Sequence, residues 1–327
     1  MFEWACIPWR GGVLLMLTTN FCGIEMKNPI VAASGTFGFG MEYRHYVDLN
    51  HKVGAVSVKG LTPEPRSGNA GRRIAETSAG ILNCVGLENP GMEKFRANIL
   101  PHLRRSFDVP VIANISGHNV EDYKIITEYL NVEGVAAFEV NVSCPNVADG
   151  GMAFGVNPDM VYQITKTVRQ YTNKPVIVKL SPNVTDIALI AKAAEEGKAD
   201  GVSLINTLLG MAVDVKTWTP SLGNVYGGLS GPAVKPVALR MVHQVAKAVS
   251  IPILGGGGIM TAEDIIEFML VGASAVTVGT ANMVDPRSID KMHDDLEAYL
   301  KAQGIDHISK IVGKLNQKAE TIALCGI

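Results

Sequence analysis

Short apolar runs rich in Val, Ile and Ala recur along the chain and alternate with helix-length stretches in one repeating pattern. Eight such runs cover Pro29 to Ser34, Ala55 to Gly60, Pro110 to Ser116, Ala137 to Pro145, Pro175 to Ser181, Gly201 to Thr207, Pro252 to Gly258 and Ala275 to Thr280. Several open on a Pro or a Gly-Ala type turn, as in DVPVIANIS, NKPVIVKLS, SIPILGGGG, ADGVSLINT and GASAVTVGT. Near-continuous apolar strands are buried on both faces, and strand alternating with helix is the mark of βα units around a parallel sheet. Helix starts carry recognisable caps, such as Asn157 before Pro158, and Thr261 with Asp264 three residues later. No linker rich in Pro, Ser or charge divides the chain. The pattern predicts one α/β domain over residues 16–327, a closed (β/α)8 TIM barrel, with an open doubly wound sheet as the alternative topology.

In such a barrel the chemistry sits on the loops that follow the strands, and polar residues crowd those positions here. They are Ser34, Lys59, Asn114, Asn141 with Cys144, Lys179, Asn206 with Thr207, Gly255 to Gly258, and Gly279 with Thr280. The glycine run leads into the helix capped at Thr261, so its backbone N–H groups beside a positive helix end suit a phosphate. A tight βα turn accounts for the run taken alone. With Gly279 and Thr280 after the eighth strand, the usual phosphate site of a barrel is complete. No GxGxxG follows the first strand, so a mononucleotide fits better than a dinucleotide. Lys59 and Lys179 end apolar strands; either alone could snorkel to solvent, but two in one mouth point to an anionic ligand. Cys144 stands past the fourth strand in NVSCPN, where a lone Cys is commonly a small buried hydrophobe. Flanking carboxamides and the absence of a neighbouring His favour a proton-abstracting base over a protease-like nucleophile.

Composition narrows the partners. The 29 Lys and Arg against 31 Asp and Glu give a net charge of −2, with no block of like charge suited to nucleic acid or an anionic membrane. No apolar run approaches the roughly 18 residues of a membrane span. Five scattered cysteines without a CxxC pair fit a reducing compartment and predict neither a disulfide framework nor a metal site. The stretch Met1 to Leu15 has one basic residue, Arg10, and makes a poor signal peptide. It reads as an N-terminal extension of unknown role, and the protein as cytoplasmic.

From about Thr19 onward the chain resembles the dihydroorotate dehydrogenases, in the group whose base is Cys. The resemblance rests on NPIVAASGTFGFG (Asn28 to Gly40), SVKGLT (Ser57 to Thr62), NCVGLENPG (Asn83 to Gly91), NVSCPN (Asn141 to Asn146), NTLLGMAVDVKT (Asn206 to Thr217) and GGLSGPAVKPVALRMV (Gly227 to Val242). It implies FMN, its phosphate on Gly257, Gly258, Gly279 and Thr280, and Ser34, Lys59, Gly60, Asn114, Asn141, Lys179, Ile205 and Gly231 around the rest. Dihydroorotate or orotate would be held by Lys59, Asn83, Cys84, Val85, Gly86, Leu87, Asn141, Asn146, Asn206 and Thr207. Asn side chains match the alternating donors and acceptors of a pyrimidinedione. Cys144 would remove the C5 proton while C6 delivers hydride to flavin N5, and Lys179 would stabilise the reduced anionic flavin.

The loop Val147 to Gly155 and the SGPAVKPVALRMV stretch resemble the NAD-linked class, 1B, more than the fumarate-linked homodimers of class 1A. That class implies a homodimer of barrels joined by a subunit carrying FAD and an iron-sulfur cluster, a heterotetramer that passes electrons to NAD. Dihydropyrimidine dehydrogenase barrels are a related alternative, typically with His where this chain has Asn146; a catalytically silent barrel is the other. Two features depart from the pattern, the N-terminal extension and the unbroken glycines Gly255 to Gly258, where relatives usually have another residue second.

Overall fold

A computed structural model of the chain describes residues 15–142 and 154–315. Each predicted run contains a barrel strand: β1 (Ile30–Ala32), β2 (Ala55–Ser57), β3 (Val111–Ile115), β4 (Ala137–Asn141), β5 (Val176–Lys179), β6 (Gly201–Leu204), β7 (Ile253–Gly256) and β8 (Ala275–Val278). Each pairs in parallel with the next, and β8 returns to β1 with Val276 opposite Ile30, so the sheet closes on itself. The open doubly wound alternative is thereby excluded. Helices cover the outside through the expected stripes. In Pro158–Gln170 the buried positions are Val161, Ile164, Thr165 and Val168, the i, i+3, i+4, i+7 face. Its cap is as predicted, Asn157 Oδ1 accepting from Asp159 N at 2.9 Å. Thr261 and Asp264 form a reciprocal capping box at Ala262–Leu270.

Two features complete the barrel ends. A hairpin of Thr19–Phe21 and Ile24–Met26 plugs the N-terminal mouth. Its turn, Cys22 and Gly23, takes φ of 53° and 82°, the left-handed pair that a two-residue hairpin loop requires. Phe21, Ile24 and Met26 pack on Val31, Ala55, Ile112, Ala137, Ile177, Leu254 and Ala275, the deepest inward residues of seven strands. Gly201 opens β6 without a side chain because a Cβ there would stand 2.5 Å from Cys22 Sγ. At the opposite end, insertions after β2 and β6 build a four-stranded antiparallel sheet ordered Leu208–Met211, Tyr226–Ser230, Gly80–Asn83, Ile74–Thr77. This sheet roofs the C-terminal mouth. Among the described residues no helix is long and apolar enough to cross a membrane.

Candidate active site

Beneath the roof lies a cleft lined by strand ends. Ser34 follows β1, Lys59 and Gly60 follow β2, Asn114 comes from β3, Asn141 from β4 and Lys179 from β5. Ile205, Asn206 and Thr207 follow β6, Gly257 and Gly258 follow β7, and Gly279 with Thr280 follows β8. The insertion after β2 adds Asn83, Val85, Gly86 and Leu87. Almost every residue singled out in the sequence therefore shares one cavity. Cys84 does not: its side chain is fully buried with Ala75, Leu82 and Leu222, and its Sγ approaches the Arg72 carbonyl at 3.6 Å. Strand alternation turns it away while Asn83 and Val85 face the cleft. Gly231 is also absent from the lining. Its φ of 99° and its carbonyl, beside Gly258, place it behind the glycine turn. Cys144 and Asn146 lie outside the described residues.

The glycine end of the cleft adjoins two helix starts. At the one capped at Thr261 the Asp264 carboxylate accepts from Met260 N at 2.7 Å and Thr261 N at 3.0 Å, just before the helix begins. The helix that abuts the glycines is Lys235–Ala246, whose first turn has no side-chain cap. A Cβ on Gly258 would stand 2.9 Å from Lys235 N, which measures how closely the two backbones approach. Gly257 and Gly258 have φ of 120° and 86°, so their backbone takes a course that glycine alone follows readily. Thr280 Oγ1 donates to Ser230 Oγ at 2.9 Å across this end.

Below the cleft floor sits a charged residue that sequence reasoning missed. Glu139, in the middle of β4, is 2% exposed, and its carboxylate accepts from Ser57 Oγ at 2.7 Å, Asn114 Nδ2 at 2.6 Å and Ser203 Oγ at 2.8 Å. Burial pushes its pKa up, but the Lys179 charge and the three hydrogen bonds outweigh that and hold it below the ordinary carboxylate value. The available signal was an acidic residue inside the otherwise apolar run AFEVN. Lys179 Nζ in turn donates to Ser34 Oγ at 3.2 Å. Because an ionised carboxylate only accepts, it claims the Asn114 amide nitrogen and leaves Oδ1 buried without a partner, beside Gly60. An orphaned buried acceptor lining a cleft calls for an N–H donor on the ligand.

Another side of the cleft is rich in amides held by hydrogen bonds. Asn206 Oδ1 accepts from Thr207 N at 2.8 Å, and Asn83 Nδ2 donates to Gly228 O at 3.2 Å. The Asn141 carbonyl is held by Tyr123 Oη at 2.9 Å. From the roof, Ile74, Ile81 and Leu229 add apolar cover that no sequence motif announced. Cys22, at the far end, is no competitor for chemistry: burial and then Asp200 push its thiol up to about 12.

Comparison with known proteins agrees with this geometry. The family model described as dihydroorotate dehydrogenase matches residues 16–300. Dihydroorotate dehydrogenase B (NAD(+)), catalytic subunit, of Thermoanaerobacter pseudethanolicus is 52% identical over 293 residues, 90% of this chain and 96% of that protein. The subunit of the same name from Alkaliphilus oremlandii is 54% identical over 296 residues, 90% of this chain and 97% of that one. A third, from a Geobacillus species, is 50% identical and spans 95% of this chain and 99% of the relative. With its barrel, cleft residues and near full-length matches in accord, the chain belongs to the dihydroorotate dehydrogenase family.

Proposed function

We propose that this chain is the catalytic subunit of an NAD-linked dihydroorotate dehydrogenase, oxidising (S)-dihydroorotate to orotate in pyrimidine biosynthesis. The observation that carries this is the meeting, in one cleft, of the β7 and β8 glycine ends with two lysines and a set of asparagines. Such a site takes a phosphate at one end and an anionic, amide-like ring at the other.

The residues fit FMN. Gly257, Gly258, Gly279 and Thr280 would receive its phosphate, and the orphaned Asn114 Oδ1 faces a place for a ring N–H. FMN, when bound, supplies a two-electron acceptor. The protein does the remainder. Lys59 offers charge to the substrate carboxylate, while Asn83, Asn141 and Asn206 match its amide edges and fix its orientation. Asn206 has its oxygen on the Thr207 amide, and its nitrogen donates to Asn141 Oδ1 at 3.5 Å, which ties the two cleft asparagines together. The roof residues Ile74, Ile81 and Leu229 restrict water and so strengthen the charge interactions beneath them. Cys144, three residues beyond the end of β4, serves as the base that takes the C5 proton. Lys179 meets the negative charge that develops during oxidation of the substrate.

Electrons must then leave the barrel. Among the described residues, Cys22 lies in the plug and Cys84 on the face of the roof turned from the cleft, and neither position offers an iron-sulfur site. We assign FAD and an iron-sulfur cluster to a partner subunit, and place the assembly, a barrel homodimer with two such partners, in the cytoplasm. The relatives' designation as a catalytic subunit supports this. The test is to recover the chain with its flavin and titrate it anaerobically with dihydroorotate. Bleaching of bound FMN, with little NAD reduction until the partner is added, is expected. Release of FAD would overturn the cofactor assignment, and reduction by dihydrouracil but not dihydroorotate the substrate assignment; rapid turnover with fumarate would overturn the partner.

A further inference from the structure

The mouth of the barrel contains a buried anion as well as its two lysines. β4 and β5 pair with Glu139 opposite Ile177 and Asn141 opposite Lys179, so Glu139 sits one inward position deeper than the strand ends that line the cleft. Donors from three strands converge on it: Ser57 of β2, Asn114 of β3 and Ser203 of β6. Holding a carboxylate at 2% exposure is costly unless its surroundings compensate, and here three hydrogen bonds and the positive charge of Lys179 do so. A structural role alone would be met by an apolar residue, as at Val31, Ile112 and Ile177, which pack on the plug. Among the described residues, the charged groups that the barrel strands and their ends bring to this layer and the mouth above it are Lys59, Glu139 and Lys179; Ser34, Asn114 and Ser203 are neutral.

We propose that Glu139 is a positioning residue of the flavin site, whose fixed negative charge beneath Lys179 moderates that lysine's pull on electrons and whose oxygens set the Asn114 amide with Oδ1 toward the ligand. This rests on the mouth holding FMN. A lysine alone would favour the reduced, anionic flavin and hold its electrons. A carboxylate on the other side of it disfavours added negative charge, so a flavin held there accepts electrons from substrate and still releases them to an acceptor outside the barrel.

The test is the two-electron midpoint potential of bound FMN in Glu139→Gln, measured by equilibration with a reference dye. The substitution keeps the shape and removes the charge. The reduced-to-oxidised ratio at a fixed potential should rise at least tenfold, an upward shift of about 30 mV for a two-electron couple. Should Glu139→Gln fail to fold, Glu139→Asp, which withdraws the charge by one methylene, should move the potential in the same direction by less. FMN bound at an unchanged or lowered potential in either variant overturns the proposal. So does lower thermal stability without a shift, the result expected of a merely structural residue. Failure of the wild-type protein to bind FMN would instead sink the reading of the mouth, which separates the two outcomes.

Discussion

Gly258 is the position where the fold and the phosphate site constrain each other most tightly, and Gly258→Ala tests that constraint. Its φ of +86° costs a residue with a Cβ roughly 1–2 kcal/mol. The new methyl would also stand 2.8 Å from Gly231 O, 2.8 Å from Lys235 Cβ and 2.9 Å from Lys235 N. Two of these atoms are backbone and cannot rotate aside, so Gly231 and the first turn of the Lys235–Ala246 helix must shift by a few tenths of an ångström. Strain and displacement together should cost about 2–3 kcal/mol, within the range for substitutions at special backbone positions. For a chain of this size that is a Tm lower by about 5 °C. The displaced backbone borders the expected phosphate position. Weakening one charge-assisted hydrogen bond, worth about 1.5–3 kcal/mol, should lower FMN affinity about tenfold to a hundredfold.

Gly304→Ala is the control. Its φ is also left-handed, +64°, but nothing lies within 4 Å of its added Cβ, and it stands far from the cleft at the end of Ser288–Ala302. It should lose stability through backbone strain alone and keep its FMN. The assay is titration of flavin-free protein with FMN, read by quenching of flavin fluorescence, beside a thermal melt of each variant. Wild-type FMN affinity in Gly258→Ala, with a melting loss no larger than that of Gly304→Ala, would refute the reasoning.

Other outcomes follow from separate parts of the molecule. Phe21→Ala empties the centre of the N-terminal plug and should cost about 3–5 kcal/mol in a denaturant melt, while FMN affinity of the folded protein stays within twofold; a parallel loss of FMN would show that the two ends are coupled. Cys144→Ala should retain FMN and slow its anaerobic reduction by dihydroorotate by about 10²- to 10⁴-fold, with Cys144→Ser regaining rate as pH rises; wild-type reduction in the Ala variant would remove Cys144 from the mechanism. Glu139 has a folded pKa below its unfolded value of about 4.3, so its contribution is present above that pH and fades as pH falls through the folded value. Glu139→Gln should accordingly flatten the acid limb of a stability profile below about pH 4.3, and an unchanged limb would place the acid sensitivity elsewhere.

What the sequence conveyed well was whatever repeats. Eight apolar runs and their caps specified the barrel, and because chemistry in a barrel gathers after each strand, a polar residue at the end of a run was already a position in the cleft. Position along a repeat does not give direction, however. Cys84 lies between two cleft residues yet points the opposite way, since alternation on an inserted strand is invisible in a motif read as a block. At the helix capped at Thr261 the cap itself was legible, but not that its Asp264 would also take Met260 N and Thr261 N, backbone donors beside the glycine run. The plug and the roof were missed because strands of three to five residues carry too little periodicity to register.

Glu139 is the instructive omission. Polar residues at strand ends stand where solvent and ligand reach them, whereas Glu139 is in mid-strand, where any ionisable group must be neutralised by its surroundings. The partners that make it tolerable, Ser57, Asn114, Ser203 and the charge of Lys179, come from four other strands and are separated from it by 25 to 82 residues. No local pattern can show that convergence. A lone acid in an apolar strand does, however, demand it, and in a closed barrel the demand can be met only from the inside. Asn114 then follows: with its nitrogen given to Glu139, its oxygen is left for a ligand, so the deepest charge in the barrel orients a group that faces the cleft.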